Sequence, residues 1–270
     1  MKAIKRLSIL RTNLSEFLFN SKYVNLHPKD INETVLKQLY DVRSGLIGIK
    51  SDKDKIDHER FMNFHKGQEV YISIVTSKSD NDIVGYISWK KVNLFDHKKW
   101  DKNIIMEGGY MFFRSVQKTD KDGNIKRYSN PFLGMYTPFH VFYNLAKVYP
   151  TSQFDHYFVA RMYPGSYLSV YSVFSELVCL KDEINDFQKE ALENYFKGYH
   201  PNDPVSHLGV METKPLASEV SKAPKSKRNQ ILYKKYMKLN PNFADGTTIM
   251  CISRMSISLA LKSLILKYFS

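Results

Sequence analysis

An α/β fold, with a central mixed β-sheet flanked by helices, is predicted by three features of this 270-residue chain. From Gly108 to Leu180, strand-like and helix-like stretches follow one another around a glycine turn, the pattern of a crossover that joins two parallel strands. Upstream, Val70, Ile72 and Ile74 alternate with Tyr71, Ser73 and Val75. The polar run Lys78-Ser-Asp-Asn-Asp82 then turns the chain, and residues 83–92 return as the second arm of an antiparallel hairpin. Before the hairpin, apolar residues recur at helical spacing. A sheet that holds both an antiparallel hairpin and a parallel crossover is mixed, and its helices cover both faces.

In chain order, the first 25 residues carry an apolar patch at Leu7–Leu10 and a short helical pattern through Leu14, Phe17 and Leu18. After Pro28, the positions Ile31, Val35, Leu39 and Val42 predict a helix that Gly45 terminates. Ile56, Phe61 and Phe64 place a second helix before Gly67. Past the hairpin, residues 109–116 have strand composition, and a loop with Asp122-Gly123 and Ser129–Gly134 leads to Thr137-Pro138, read as N-cap and first-turn proline. Phe139, Phe142, Tyr143 and Ala146 continue that helix until Pro150.

Residues 154–162 form the next strand, and Pro164-Gly165 opens a helix with Tyr167, Val170, Tyr171, Phe174 and Leu177 on one face. The acids Asp182 and Glu183 suit the start of a helix marked by Ile184, Phe187, Ala191 and Tyr195, which ends at Gly198. A proline-rich joint separates it from a short helix at 229–239, a strand at 247–252 and an apolar helix at 257–269 that is too short to span a bilayer. The expected organisation is an N-terminal segment 1–27, a core 28–200, and an extension 201–270 that completes the same domain.

Composition bounds the function classes. Seventeen Phe and eighteen Tyr make the core aromatic. Two cysteines, Cys179 and Cys251, are too distant in sequence for a metal pair and too few for a disulfide framework, so both read as structural thiols of a reducing, cytoplasmic protein. The N-terminal apolar run is broken, unlike a signal peptide, and no apolar stretch is long enough to cross a membrane. The chain is basic, with formal net charge +13, and residues 214–240 hold eight basic side chains against one acid. Lys222–Lys238 is therefore a candidate contact for polyanions, the alternative being a solvated surface insertion. His200, His207 and Asp203 lack any metal-ligand spacing, and His140 and His156 read as satisfied or exposed histidines, so no metal is expected. There is no Gly-x-Ser-x-Gly elbow, Walker loop, dinucleotide fingerprint or nucleic-acid-binding module.

The order helix, helix, hairpin, strand, glycine turn, helix, strand, helix resembles the GNAT superfamily of acyl-CoA N-acyltransferases. So does the phrase Asn81-Asp-Ile-Val-Gly-Tyr-Ile-Ser88, which looks like that family's third strand. The run of 157–162 into Pro164-Gly-Ser-Tyr-Leu168, and the phrase Asn240-Pro-Asn-Phe-Ala-Asp-Gly246 before a last strand, are similar to a poorly characterised, longer GNAT-like subgroup. The resemblance covers roughly residues 28–265, at motif level.

It implies a transferase that uses acetyl-CoA or a longer acyl-CoA to acylate an amine. The donor pyrophosphate would be held by backbone amides across Leu133, Gly134, Met135, Tyr136 and Thr137, with Arg127 as a source of positive charge. Pro131 and Tyr136 depart from the family's Arg/Gln-x-x-Gly-x-Gly/Ala pattern, because proline offers no amide and the tyrosine ring fills space the family keeps clear. By the same resemblance Glu107 is the candidate base and Tyr167 or Tyr171 the candidate acid. Glu107 also reads as a strand-end acid, and both tyrosines lie on the apolar stripe of their helix. The alternatives are a catalytically inactive GNAT-like binding or regulatory module and, from the charge, a polyanion-binding protein.

Overall fold

The computed structural model describes residues 21–26, 28–47, 51–66, 69–78, 81–113, 116–119, 125–128, 131–162, 164–171, 174, 176–199, 210–212, 227–241, 243, 247–256 and 258. The expected elements at 7–18 and, apart from Ser258, at 257–269 lie outside them, as do His200, Asp203 and His207. In chain order the elements are β1 (Ser21–Leu26), α1 (Glu33–Ile47), α2 (Ser51–His65), β2 (Val70–Ser77), β3 (Ile83–Val92), β4 (Asn103–Phe113), β5 (Val116–Thr119), β6 (Ile125–Tyr128), α3 (Pro131–Val148), β7 (Asp155–Met162), α4 (Pro164–Tyr171), α5 (Asp186–Tyr199), β8 (Val210–Glu212), α6 (Lys227–Leu239) and β9 (Thr247–Met255). The chain forms two compact units, Met1–Lys91 with Gly109–Pro150, and Val92–Gly108 with Thr151–Ser270. Strand β4 passes from the second unit to the first between Gly108 and Gly109.

In the first unit the strand order is β1-β2-β3-β4. The expected hairpin is present, with β2 antiparallel to β3 from Val70↔Lys90 to Thr76↔Ile83. Asn81 takes a left-handed conformation in the turn, φ 59°, which asparagine tolerates better than most residues. Every residue from Val70 to Val75 is buried, so both faces of β2 are covered. Val70, Ile72 and Ile74 join Leu36, Leu39 and Tyr40 of α1 and Phe61 and Met62 of α2 in one apolar cluster, while α3 also packs on β2. Trp89 of β3 is sealed in this unit, 1% exposed. Helix α1 starts where Asn32 caps the Val35 amide at 3.0 Å. The hydroxyl of Ser88 donates to the carbonyl of Tyr110 and accepts from its amide, so one side chain engages both backbone groups of that β4 residue.

Three local expectations are corrected here. Ser21–Leu26 is an edge strand, antiparallel to β2, where no element was assigned. The loop around Asp122-Gly123 is flanked by a two-stranded antiparallel hairpin, Val116↔Tyr128 to Thr119↔Ile125. Helix α3 starts at Pro131, with Pro138 in its interior, rather than at Thr137. Pro131 at the first helical position needs no amide partner, so it is the better start. Pro138 then leaves the Gly134 carbonyl without its usual donor.

In the second unit the order is β4-β7-β9-β8. The crossover strands β4 and β7 are parallel, from Asn103↔Asp155 to Glu107↔Val159, and β9 is antiparallel to both β7 and β8. Parallel and antiparallel pairing in a sheet flanked by helices is the mixed α/β class read from the sequence. Helix α5 covers one face, with Phe187, Ala191, Leu192, Tyr195 and Phe196 against Ile105, Val159, Met250 and Ile252. Its N-terminus is a capping box. Asn185 Oδ1 accepts from the Gln188 amide at 2.9 Å, and Gln188 Oε1 accepts from the Asn185 amide at 3.1 Å. Trp100 donates its indole N–H to Glu190 of α5 at 3.1 Å, and His97 meets the same carboxylate at 2.7 Å. Helix α4 ends at Tyr171, short of the Leu177 expected.

The Asn240-Pro phrase has a structural use. Asn240, fully buried after α6, donates to the Thr247 carbonyl at 3.0 Å and to the Tyr236 hydroxyl at 3.2 Å, and accepts from the Thr247 hydroxyl at 2.7 Å. Tyr236 in turn donates to the Met162 carbonyl at 2.8 Å. These bonds tie α6 to β7 and β9, and a buried group stripped of its partner carries the full desolvation penalty. Asn240→Ala is expected to destabilise the protein by about 1–3 kcal/mol, measured as a lower urea midpoint with an unchanged slope.

Candidate functional site

Glu107 stands on the last paired rung of the parallel ladder, opposite Val159. The buried residues Ile104, Ile105 and Met106 anchor the strand that presents it, and Glu107 itself is only partly buried. Tyr195 of α5, 1% exposed, donates its hydroxyl to Glu107 Oε1. A carboxylate gripped by a packed phenol has a defined orientation, which is what a general base needs. Gly108 follows, and a Cβ there would lie 2.4 Å from Cζ of the buried Phe158 ring and 2.9 Å from Cβ of Ala160. The next position is equally tight, since a Cβ on Gly109 would lie 2.2 Å from Cζ of Phe64 and 2.9 Å from the Ser88 carbonyl oxygen.

Tyr167 and Tyr171 are one turn apart on α4, with ring centroids 5.7 Å from each other. Tyr167 is 1% exposed and stands edge-on to Tyr236, centroids 5.4 Å apart. Its hydroxyl is buried and has no hydrogen-bond partner among the described residues. Burial first, then the neighbouring Cys251, Asp182, Tyr171 and Cys179, push its pKa far above the usual phenol range. It therefore stays protonated at any physiological pH. Tyr171 is half-buried, with Lys235 Nζ 5.9 Å from its ring centroid. The tyrosine that grips Glu107 is thus Tyr195, which the sequence pattern assigned only to the apolar face of its helix. No local signal marks it, because 88 positions separate the two residues and only the fold joins them.

The donor-site candidates fall in the first unit. Arg127 lies on β6 opposite Gln117, and Leu133, Gly134, Met135, Tyr136 and Thr137 lie within the first two turns of α3. In a helix that begins at Pro131, the amides of Leu133 and Gly134 are among those without an intrahelical acceptor, whereas those of Met135, Tyr136 and Thr137 are directed back at residues 131–133.

Elsewhere in the first unit, Lys91 Nζ lies 2.7 Å from Glu69 and donates to the Tyr149 hydroxyl at 2.6 Å, while that hydroxyl donates to Glu69 at 2.9 Å. Burial would lower the Lys91 pKa, but the bonds to Glu69 and Tyr149 outweigh it and hold it above the usual value. This closed set of partners fastens the end of α3 to β2 and β3. Of the remaining candidates, His156 is buried in β7. Within the basic segment, Lys235 pairs with Asp182 at 3.3 Å, while Lys234 and Lys238 are exposed. Among the described residues, no cluster of three or more His, Cys, Asp or Glu could hold a metal ion, and no helix is long and apolar enough to cross a membrane.

No protein-family model and no curated protein matches the chain. Among solved structures it is similar to the N-acetyltransferase PseH of Campylobacter jejuni, at 9% sequence identity and a TM-score of 0.26, over 87% of this chain and 99% of that one.

Proposed function

We propose that the chain is a GNAT-like acyltransferase that moves the acyl group of acetyl-CoA or a longer acyl-CoA to an amine. The observation that carries this reading is Glu107, held by the Tyr195 hydroxyl at the last rung of the parallel β4–β7 ladder. In the proposed reaction the Glu107 carboxylate takes a proton from the acceptor's ammonium group, and the freed nitrogen lone pair attacks the thioester carbonyl carbon. The tetrahedral intermediate then collapses, the carbon–sulfur bond breaks, the departing CoA thiolate receives a proton from a tyrosine, and the second proton shed by the nitrogen goes to solvent, which reprotonates the tyrosinate. Of the two tyrosines that the resemblance offers for that last role, half-buried Tyr171 is the more accessible donor, because the burial that raises the pKa of neighbouring Tyr167 makes that hydroxyl a weaker acid than an ordinary phenol. Arg127 and Leu133 to Thr137 are the proposed donor contacts, led by the amides of Leu133 and Gly134.

A second reading, a GNAT-like module that binds a CoA ester without turnover, is favoured by one observation. The helix beginning at Pro131 engages the amides of Met135, Tyr136 and Thr137 internally, leaving fewer for a pyrophosphate.

Titration with acetyl-CoA and longer acyl-CoAs is expected to raise the Tm, since a ligand held only by the native state at 100 times its Kd stabilises it by about 2.7 kcal/mol. Release of free CoA thiol in the presence of a polyamine, aminoglycoside or peptide amine then identifies an enzyme. A raised Tm without thiol release across that panel supports the binding module. An unmoved Tm with every CoA ester overturns both readings.

A further inference from the structure

We propose that Cys179 and Cys251 are a paired thiol site that closes into an intramolecular disulfide when the protein meets a low-molecular-weight disulfide oxidant. Val178 and Ile252 form an antiparallel bridge through two reciprocal backbone hydrogen bonds, Val178 N–H to Ile252 C=O at 2.9 Å and Ile252 N–H to Val178 C=O at 2.8 Å. Where two residues exchange both bonds, the next pair along the ladder is the non-hydrogen-bonded one, with Cα atoms about 4.5 Å apart and side chains on one face. One step on from Val178 is Cys179, and one step back from Ile252 is Cys251. That spacing falls inside the range of about 4.4–6.8 Å that a disulfide spans.

The environment fixes both residues. Cys251 sits in β9 opposite Ala160, and both thiols are free and fully buried. The Cys179 amide donates to Asp182 Oδ2 at 3.0 Å and its carbonyl accepts from the Asp182 amide at 2.9 Å, which holds the turn after Cys179 in place. Asp182 is itself tied to Lys235 of α6. Burial pushes the Cys179 thiol up to about 11 and the Cys251 thiol well above its usual value. Both thiols are therefore protonated and shielded in the closed state, so exchange proceeds at the rate at which the segment around Cys179 opens.

The chemistry balances in two steps. One cysteine, deprotonated on opening, attacks a sulfur of the oxidant R–S–S–R, forming a mixed disulfide and expelling RS⁻. The second cysteine thiolate attacks the protein sulfur of that mixed disulfide, forming the Cys179–Cys251 bond and expelling the second RS⁻. The two cysteines lose two electrons and two protons, and the oxidant becomes two RSH. The bond would tie the segment before α5 to β9 across about 70 residues of intervening chain, a loop length at which cross-linking removes substantial unfolded-state entropy. The inference is independent of acyl transfer.

The test incubates the full-length native protein with oxidised glutathione, alkylates it under denaturing conditions and digests it without reductant. The expected product is a cross-linked pair of tryptic peptides, 162–181 with 239–254, that dithiothreitol separates. The oxidised protein is also expected to melt several degrees higher until it is reduced. Recovery of both cysteines alkylated, or each carrying only glutathione, or joined between two chains, overturns the proposal. Because the readout is on the unaltered protein, it does not depend on how the Cys179→Ser or Cys251→Ser variant folds.

Discussion

Glu107→Gln is expected to lower the rate of CoA thiol release by roughly two to four orders of magnitude, the usual contribution of a general base. Glutamine keeps the shape of the side chain and an oxygen that accepts from Tyr195, so packing and the hydrogen bond are retained and only basicity is lost. The Tm rise caused by acetyl-CoA should therefore match that of the unaltered protein. Tyr195→Phe removes the grip and leaves the base, so its loss should be smaller, about tenfold, and should fall on kcat more than KM. Glutamine at 107 with undiminished turnover would return Glu107 to the role of a strand-end acid.

Acidification from pH 6.5 to 4 is expected to remove about 3 kcal/mol of stability through one residue, His65. Its Nδ1–H donates to the Phe61 carbonyl at 2.7 Å, and its buried Nε2 has no partner among the described residues. The ring is 4% exposed and lies among Phe61, Phe64 and Tyr110, with centroids 4.4, 5.0 and 5.7 Å away. Protonation would place a second N–H in that aromatic setting, with Lys90 nearby and the Arg43 guanidinium 4.9 Å from the centroid of Tyr110.

Burial first, opposed by the Phe61 bond and assisted by the Lys90 charge, lowers the His65 pKa from 6.5 to about 4. The unfolded chain therefore binds a proton through that window while the native state does not. Stability is full above pH 6.5, falls as pH drops toward 4, and levels off below. Urea midpoints across this range should slope steeply for the unaltered protein and more gently for His65→Leu. Equal slopes would remove His65 as the source.

What the sequence disclosed follows from how locally each feature is encoded. The β2–β3 hairpin was legible because alternation and a polar turn are contained in some twenty residues, and the crossover was legible because two strand-like runs flank a helical one. Strand β1 was not. Its six residues mix Lys22 and Asn25 with Tyr23, Val24 and Leu26, and pairing with β2 is what makes them a strand. The start of α3 was misplaced because two prolines seven positions apart can each open a helix, and Thr137 before Pro138 looked like a cap.

Of the candidate site, Glu107 is pointed to by the family resemblance, while its own sequence context marks only a strand-end acid. Its tie to Tyr195, and the meeting of Cys179 with Cys251, depend on long-range packing that no window of sequence contains. The capping box at Asn185 and Gln188 was a readable signal, eclipsed by the acids just before it.

The chain's two tryptophans fall one to each compact unit, Trp89 in the first and Trp100 in the second. The indole of Trp89 is buried, whereas that of Trp100 is partly exposed and bonded to a surface carboxylate. Their emission maxima should differ accordingly, the first bluer and the second redder. With either indole exchanged for phenylalanine, the remaining fluorescence follows the melting of one half of the molecule, so the cooperativity of the two halves becomes an optical measurement on the intact polypeptide.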